Sequence, residues 1–425
     1  MAAWSTANLI SIAIWQDFFA DSRMPSEHKL ENLEAFPIHA KGCNTLYGTK
    51  KGLSTRPGPD RSQNDPSAVS GLALWRENRN KPYKVIIDRV GGEQFDACLD
   101  DDNTLKIALI QPNKYLLELC VTTVSDPSDP DPHFFGLQPR YEKAQIDIAI
   151  KGLKVAEKAG AGIALLPELT MTESAVKEIG AQLAKPGNIL PPNADHRTLR
   201  VVVSGSYHHE DAQGARRNST RVQFPRHSDP TMYRQHSKSG KFVHRIQRVF
   251  LEMMSTDPMV VDAAVKAHNA GTASTTEVAF REDVEYPYEI RLFIGQKFSA
   301  VVVICADLLS ETFRDVVKEI CPSLVLVCNM TKTVDPFKDV AHELILACQA
   351  TLVSVNNPAM WLDAAAPGGS VGVPGVLVAM PLSGDQKEDV HKRNFANAKQ
   401  IIIFDFGRPA AKGAPPEPKI RRRST

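Results

Sequence analysis

From residue 104 to about 407, short apolar runs alternate with segments whose apolar residues recur every three or four positions. The short runs are LKIALI (105–110), AGIALLP (161–167), LRVVVSGSY (199–207), FSAVVVIC (298–305), SLVLVC (323–328), TLVSVNN (351–357) and QIIIFDF (400–406). Apolar stretches this short, bounded by turn residues, suit buried strands. Between them the period changes. Ile146, Ala149, Ile150, Leu153 and Ala156 share one helical face within 140–158. Phe313, Val316, Val317 and Ile320 do so within 308–320, and Val340, Leu344, Ala347 and Cys348 within 337–350. Strands alternating with amphipathic helices predict an α/β layered fold.

The chain on either side is patterned differently. Residues 1–103 read as an N-terminal extension to which the residues assign no function. It has a helix pattern near 4–20, a linker-like stretch STRPGPDRSQNDPSAVSG (54–71) and a strand candidate YKVIID (83–88). Residues 407–425, GRPAAKGAPPEPKIRRRST, are rich in Pro and Arg and poor in core residues, which predicts a disordered basic tail.

Composition narrows the function classes. The formal net charge of +1 over 425 residues gives no global field for nucleic acid or a membrane surface. No run approaches the ~20 apolar residues of a membrane span. The N-terminal apolar stretch lacks a basic lead-in and carries Asp17, unlike a secretory signal. Seven cysteines with no CxxC pair suggest reduced thiols in a cytoplasmic protein rather than a zinc site or disulfide framework. There is no HExxH and no Walker loop, and the adjacent His208 and His209 point in different directions and make a poor metal pair. GGSVGVPG (368–375) lacks the following Lys-Ser/Thr of a phosphate loop. No metal and no organic cofactor are expected.

Three segments carry chemistry. In FSAVVVICADLLSETF a strand ends at Cys305 and a helix begins within a few residues. A thiol near a helix N-terminus is biased toward thiolate. The Ala306 N–H can face a developing oxyanion, and Asp307 or Ser310 can cap the helix. A buried structural cysteine is the plain alternative. In AGIALLPELT, Glu168 follows an apolar strand, where partial desolvation would raise its pKa and suit it to general-base work. A capping or surface glutamate is the alternative there. The basic stretch YRQHSKSGKFVHRIQR offers Lys238 and Lys241 as an electrophilic cation, or else a solvated basic loop.

The order of these segments resembles the nitrilase, or carbon–nitrogen hydrolase, superfamily across about residues 104–406. KIALIQPN (106–113), LLPELT, SGSYHHE (204–210), RNSTRVQF (217–224), the lysine stretch and ICADL (304–308) carry the resemblance. At the lysine, Gln235 stands where the family's spacing from the tyrosine places the cation, and Lys238 follows His236. The resemblance implies a four-layer αββα sandwich and a Glu168–Lys238–Cys305 triad. It also implies a homodimer or higher oligomer and no cofactor. It implies hydrolysis of a non-peptide carbon–nitrogen bond in a small-molecule amide or nitrile, amide first, through a cysteine thioester. Ala306, Asn329, Met330 and Asn356 are candidate oxyanion or substrate residues at the strand ends. Lys238 is expected to point at Cys305 because it lies nearer the strand and Tyr233, with Gly240 turning the chain away before Lys241. A non-catalytic interaction module of the same fold and an acyltransferase using the same triad remain open.

Overall fold

The computed structural model describes residues 27–30, 35–37, 72–74, 83–99, 105–113, 115–124, 133–190, 198–227, 229, 231–239, 243–282, 284, 287–296, 299–331, 334–348, 350–357, 375–381, 388–393, 401–406 and 421–422. The helix expected near 4–20, the linker at 54–71, Lys241 and most of GGSVGVPG lie outside them.

The apolar runs become strands because both of their faces are covered. An eight-stranded sheet orders the strands Glu27–Lys29, Lys84–Asp88, Glu289–Ile294, Ser299–Ile304, Leu324–Asn329, Thr351–Asn356, Val376–Pro381 and Glu388–Arg393. A seven-stranded sheet orders Tyr233–Ser237, Arg216–Gln223, Val201–Glu210, Ile163–Leu165, Leu105–Ile110, Ile401–Phe406 and Arg421–Arg422. Alternate side chains point to opposite faces of each strand. Ile107 and Leu109 meet Val302, Leu326 and Val353 of the other sheet, while Ala108 and Ile110 meet Ala149 and Leu153 of the helix Glu142–Lys158. On the far side, Val301 and Val303 pack on Phe313 and Val317 of the helix Glu311–Ile320 and on Leu344 of the helix Asp335–Cys348. The helix Glu173–Ala184 completes the other outer layer, its N-terminus capped where Thr172 accepts a hydrogen bond from Ala175 N–H. The result is the four-layer αββα sandwich.

Two features were not read from the sequence. The first is that residues before 104 enter the sandwich. The strand Lys84–Asp88 pairs in parallel with Glu289–Ile294, and Asp88 caps the helix Arg89–Asp96 by accepting from Gly91 N–H at 2.8 Å. Gly92 in that helix is obligatory, since a Cβ there would lie 2.1 Å from the Ile294 backbone. Of residues 407–425, only Arg421–Arg422 are described, paired with Ile402–Ile403. The second feature is a four-stranded sheet, Val243–Gln247, Glu277–Glu282, His133–Pro139 and Leu119–Val124. Its Val121 and Leu137 pack with Met253 and Met254 against Leu169 and Met330, beside the strand ends where the chemistry was expected.

Candidate active site

Each polar side chain at this rim is placed by a turn at the end of a strand. Cys305 directly follows Ser299–Ile304 and has a left-handed backbone, φ 43°. Leu169, directly after Glu168, is left-handed too, with φ 53°. Non-glycine residues in that region carry strain of roughly 1–3 kcal/mol, which surrounding structure must hold in place. At Glu168 the surroundings are clear. Glu168 N–H donates to Asn329 O at 3.3 Å, Leu169 N–H to Ser206 Oγ at 3.1 Å, and Asn357 Nδ2 to Glu168 O at 3.3 Å. The turn also lies on Gly205, φ +77°, whose missing Cβ would sit 2.6 Å from Pro167 O.

Lys238 follows the strand Tyr233–Ser237 and extends its ladder, donating from its backbone N–H to Asn218 O at 2.8 Å. Asp307 fixes the next residue, accepting Ser239 N–H on both carboxylate oxygens at 2.8 Å. That is a correction to the sequence reading of Asp307 as a helix cap. Ser310 precedes the helix Glu311–Ile320 without a side-chain cap bond, and Cys305 opens a short 3-10 turn instead. Arg234, four residues before Lys238, is tied to Asp88 at 2.7 Å and Glu27 at 2.5 Å, so the N-terminal strands brace the approach to the lysine.

These turns bring Glu168, Lys238 and Cys305 together in the interior, each at most 4 % exposed. Lys238 Nζ donates to Glu168 Oε1 at 2.9 Å. The Cys305 thiol donates to Met330 O at 3.7 Å and lies near enough for the charges of Glu168 and Lys238 to act on it. Of the two lysines weighed in the sequence, Lys238 meets Glu168 with its ammonium, and Lys241 lies outside the described residues.

A fourth group stands with them. Lys238 Nζ also donates to Glu282 Oε2 at 2.7 Å, and Glu282 is buried. Asn218 Nδ2 bridges the two carboxylates, 3.0 Å from Glu168 Oε1 and 2.9 Å from Glu282 Oε1. His208 Nε2 lies 3.2 Å from Glu282 Oε1. His208 and Asn218 are partners in the strand register, and Lys238 bonds the Asn218 backbone, so the three form one cross-strand row facing the carboxylates. No sequence signal marked Glu282. It is one of five acidic residues between 277 and 289.

One ammonium between two buried carboxylates separates their proton affinities. Burial pushes Glu168 up, Lys238 pulls it down, and the Glu282 charge pushes it up again, leaving it above the ordinary glutamate range. Burial acts on Glu282 as well, but Lys238 and the His208 bond outweigh it and hold that carboxyl well below the range. Lys238 is pulled down by burial and driven far up by both carboxylates, so it stays charged. The Cys305 thiol is raised by burial and by Glu168 against the pull of Lys238, so it rests protonated. This departs from the thiolate bias expected of a helix N-terminus, because desolvation dominates and the long helix begins only at Glu311.

The other rim residues have structural partners. Both polar atoms of the Asn356 side chain bond the Thr331 backbone, at 2.8 and 2.9 Å. Asn329 Nδ2 donates to Ser354 Oγ at 2.5 Å, and its backbone oxygen receives Asn357 N–H at 2.8 Å. Met330 contributes its carbonyl to Cys305, and Ala306 is buried in the turn beside it. Among the described residues no group of three or more His, Cys, Asp or Glu is arranged to hold a metal ion. No described helix is long and apolar enough to cross a membrane.

No protein-family model and no curated protein matches the chain. Solved structures do. Nit3 of Saccharomyces cerevisiae, a member of branch 10 of the nitrilase superfamily, is 13% identical with a TM-score of 0.34, covering 68% of this chain and 90% of Nit3. A CN-hydrolase superfamily protein from Xanthomonas campestris is 12% identical with a TM-score of 0.38, covering 71% of this chain and 90% of its own. Nitrilase-superfamily structures are therefore among those this chain resembles. A glutamine-dependent NAD+ synthetase from Acinetobacter baumannii is 13% identical with a TM-score of 0.36, over 71% of this chain. The match spans 46% of that synthetase, less than half its length. The functional reading rests on the buried side chains and not on these likenesses.

Proposed function

We propose that this chain hydrolyses a non-peptide carbon–nitrogen bond of a small molecule, an amide before a nitrile, through a thioester on Cys305. The observation that carries the reading is the convergence of a thiol, a carboxylate of raised proton affinity and a buried ammonium at one point. Two carboxylates whose environments drive them apart divide the work. Glu168 is the proton carrier, and Glu282 stays ionised and holds Lys238.

Glu168 accepts the thiol proton as Cys305 Sγ forms a bond to the carbonyl carbon. Lys238 has three N–H donors, two of them used on Glu168 and Glu282. The third and the Ala306 N–H receive the oxyanion. The C–N bond breaks as Glu168 returns the proton to the leaving amine. Water, deprotonated by Glu168, then attacks the thioester carbon, and the proton passes from Glu168 to Cys305 Sγ as the C–S bond breaks and the acid leaves. A base of this kind supplies ~10²–10⁴-fold, and each oxyanion donor ~10²–10³-fold. The chain acts without a cofactor in this scheme, as a cytoplasmic homodimer or higher oligomer.

The test is acylation by p-nitrophenyl acetate, with release of p-nitrophenolate followed at early times and the acyl group located by peptide mass spectrometry. The expected result is one acetyl group on Cys305, a burst abolished in Cys305→Ala, and a rate lowered ~10²-fold or more in Lys238→Ala. Acetyl carried instead by Cys98, Cys120, Cys321, Cys328 or Cys348 would overturn the proposal.

A further inference from the structure

The row that faces the carboxylates ends in a histidine with a defined tautomer. His208 Nδ1 accepts the backbone N–H of Leu137 at 3.1 Å. A ring nitrogen that accepts a hydrogen bond carries no proton, so the proton is on Nε2. Nε2 is 3.2 Å from Glu282 Oε1, and the side chains are 3 % and 1 % exposed. Glu282 Oε1 therefore receives two donors, His208 and Asn218, which leaves Oε2 aimed at Lys238. His208 belongs to the seven-stranded sheet, while Leu137 and Glu282 belong to adjacent strands of the four-stranded sheet.

We propose that His208 is a positioning residue: its Nε2–H fixes the rotamer of Glu282 and, through it, the place of the Lys238 ammonium that meets the oxyanion. The inference rests on the hydrolase reading above. It differs from a purely structural role, in which His208 would only tether the small sheet through Leu137. In the positioning role the bond to Glu282 matters for the reaction, and in the tethering role the bond to Leu137 does.

Two substitutions separate the bonds. In His208→Asn the side-chain oxygen lies where Nδ1 was and keeps the Leu137 bond, but the chain is too short to reach Glu282. In His208→Gln the amide nitrogen lies where Nε2 was and keeps the donor to Glu282. Two reagents separate the steps. p-Nitrophenyl acetate forms the C–S bond through an oxyanion, expels p-nitrophenolate and gives the thiol proton to Glu168. Iodoacetamide forms a C–S bond by displacing iodide, the thiol proton again passing to Glu168, with no oxyanion.

The expected result is that His208→Asn acylates about tenfold slower or worse, the loss of one hydrogen bond to a charged group. Its Cys305 should be alkylated by iodoacetamide within about twofold of the wild type, since no oxyanion forms in that displacement. His208→Gln should restore acylation to within about threefold, because its donor to Glu282 remains. Wild-type acylation in His208→Asn with slow acylation in His208→Gln would overturn the positioning role in favour of tethering. Slow acylation in both would overturn it as well. Thermal melting checks that each variant is folded, and if His208→Asn is not, the His208→Gln rate alone decides. A wild type with no Cys305-dependent burst would refute the hydrolase reading, and the positioning role with it.

Discussion

Glu282→Gln is the sharpest perturbation of the site, because it changes one oxygen to nitrogen and nothing in shape. Three donors converge on this carboxylate: Lys238 Nζ at 2.7 Å, Asn218 Nδ2 at 2.9 Å and His208 Nε2 at 3.2 Å. An amide has one acceptor face and one donor face. With its oxygen toward Asn218 and His208, its NH₂ opposes the ammonium, and flipping it sets N–H against two donors instead. The better orientation loses one charge-assisted bond, worth ~1.5–3 kcal/mol, and the flipped one loses two. Relief of the repulsion between Glu282 and Glu168 offsets part of that, so the expected destabilisation is about 2 kcal/mol in urea unfolding. The same change alters the chemistry. The Glu282 charge raises the proton affinity of Glu168. Removing it lowers the Glu168 pKa, so the acid limb of the p-nitrophenyl acetate acylation rate moves to lower pH. Lys238, left with Glu168 as its carboxylate partner, is drawn from the oxyanion, and acylation slows by ~10²-fold. A variant with wild-type stability and an unmoved acid limb would refute the division of labour between the two carboxylates.

Two further outcomes can be checked on stability. Gly205→Ala forces a Cβ at φ +77° to within 2.6 Å of Pro167 O and Thr170 Oγ1. It should cost about 1–3 kcal/mol in chemical unfolding and slow acylation by displacing the Glu168 turn; unchanged values would show that the turn tolerates a side chain. His236 is buried, and burial with the Arg291 charge pulls its pKa down to about 4 from 6.5. The unfolded chain then binds a proton that the native chain refuses, so stability falls as pH drops from 6.5 toward 4. The wild type should lose about 3 kcal/mol more over that window than His236→Gln does, measured by urea titration at several pH values; parallel pH curves would count against a neutral buried imidazole.

The parts of this fold that sequence made legible are those where burial dictates composition. Runs such as VVVI before Cys305 and LVLVC before Asn329 are apolar throughout because helices cover one face and a second sheet the other. Cys305 and Glu168 stood out as polar residues ending such runs. Lys238 was favoured over Lys241 by its distance from the preceding strand, and it does meet Glu168, while Lys241 lies outside the described residues. The four-stranded sheet was not legible, since segments such as EVAFRE mix polar and apolar residues and match no buried-strand pattern. Glu282 was hidden with it. Asp307 looked like a helix cap because capping is the local use of an aspartate near a helix start, whereas its partner, Ser239, is 68 residues away. The expectation that His208 and His209 diverge suits their partners: Glu282 for one, Ser219 and Gln235 for the other.

The four groups of the site come from three different sheets. Glu168 and Lys238 follow strands of the seven-stranded sheet, Cys305 follows one of the eight-stranded sheet, and Glu282 ends one of the four-stranded sheet. The lysine's two partners lie 70 and 44 residues from it along the chain. Contacts of such separation carry a loop-closure cost that the i to i+4 contacts of a helix do not. A refolding chain can therefore form its helices, whose contacts are local, while the thiol is still without Glu168 and Lys238 beside it. Competence would arrive only when all three sheets have met, which makes the p-nitrophenolate burst a clock for assembly of the tertiary structure rather than for formation of its helices.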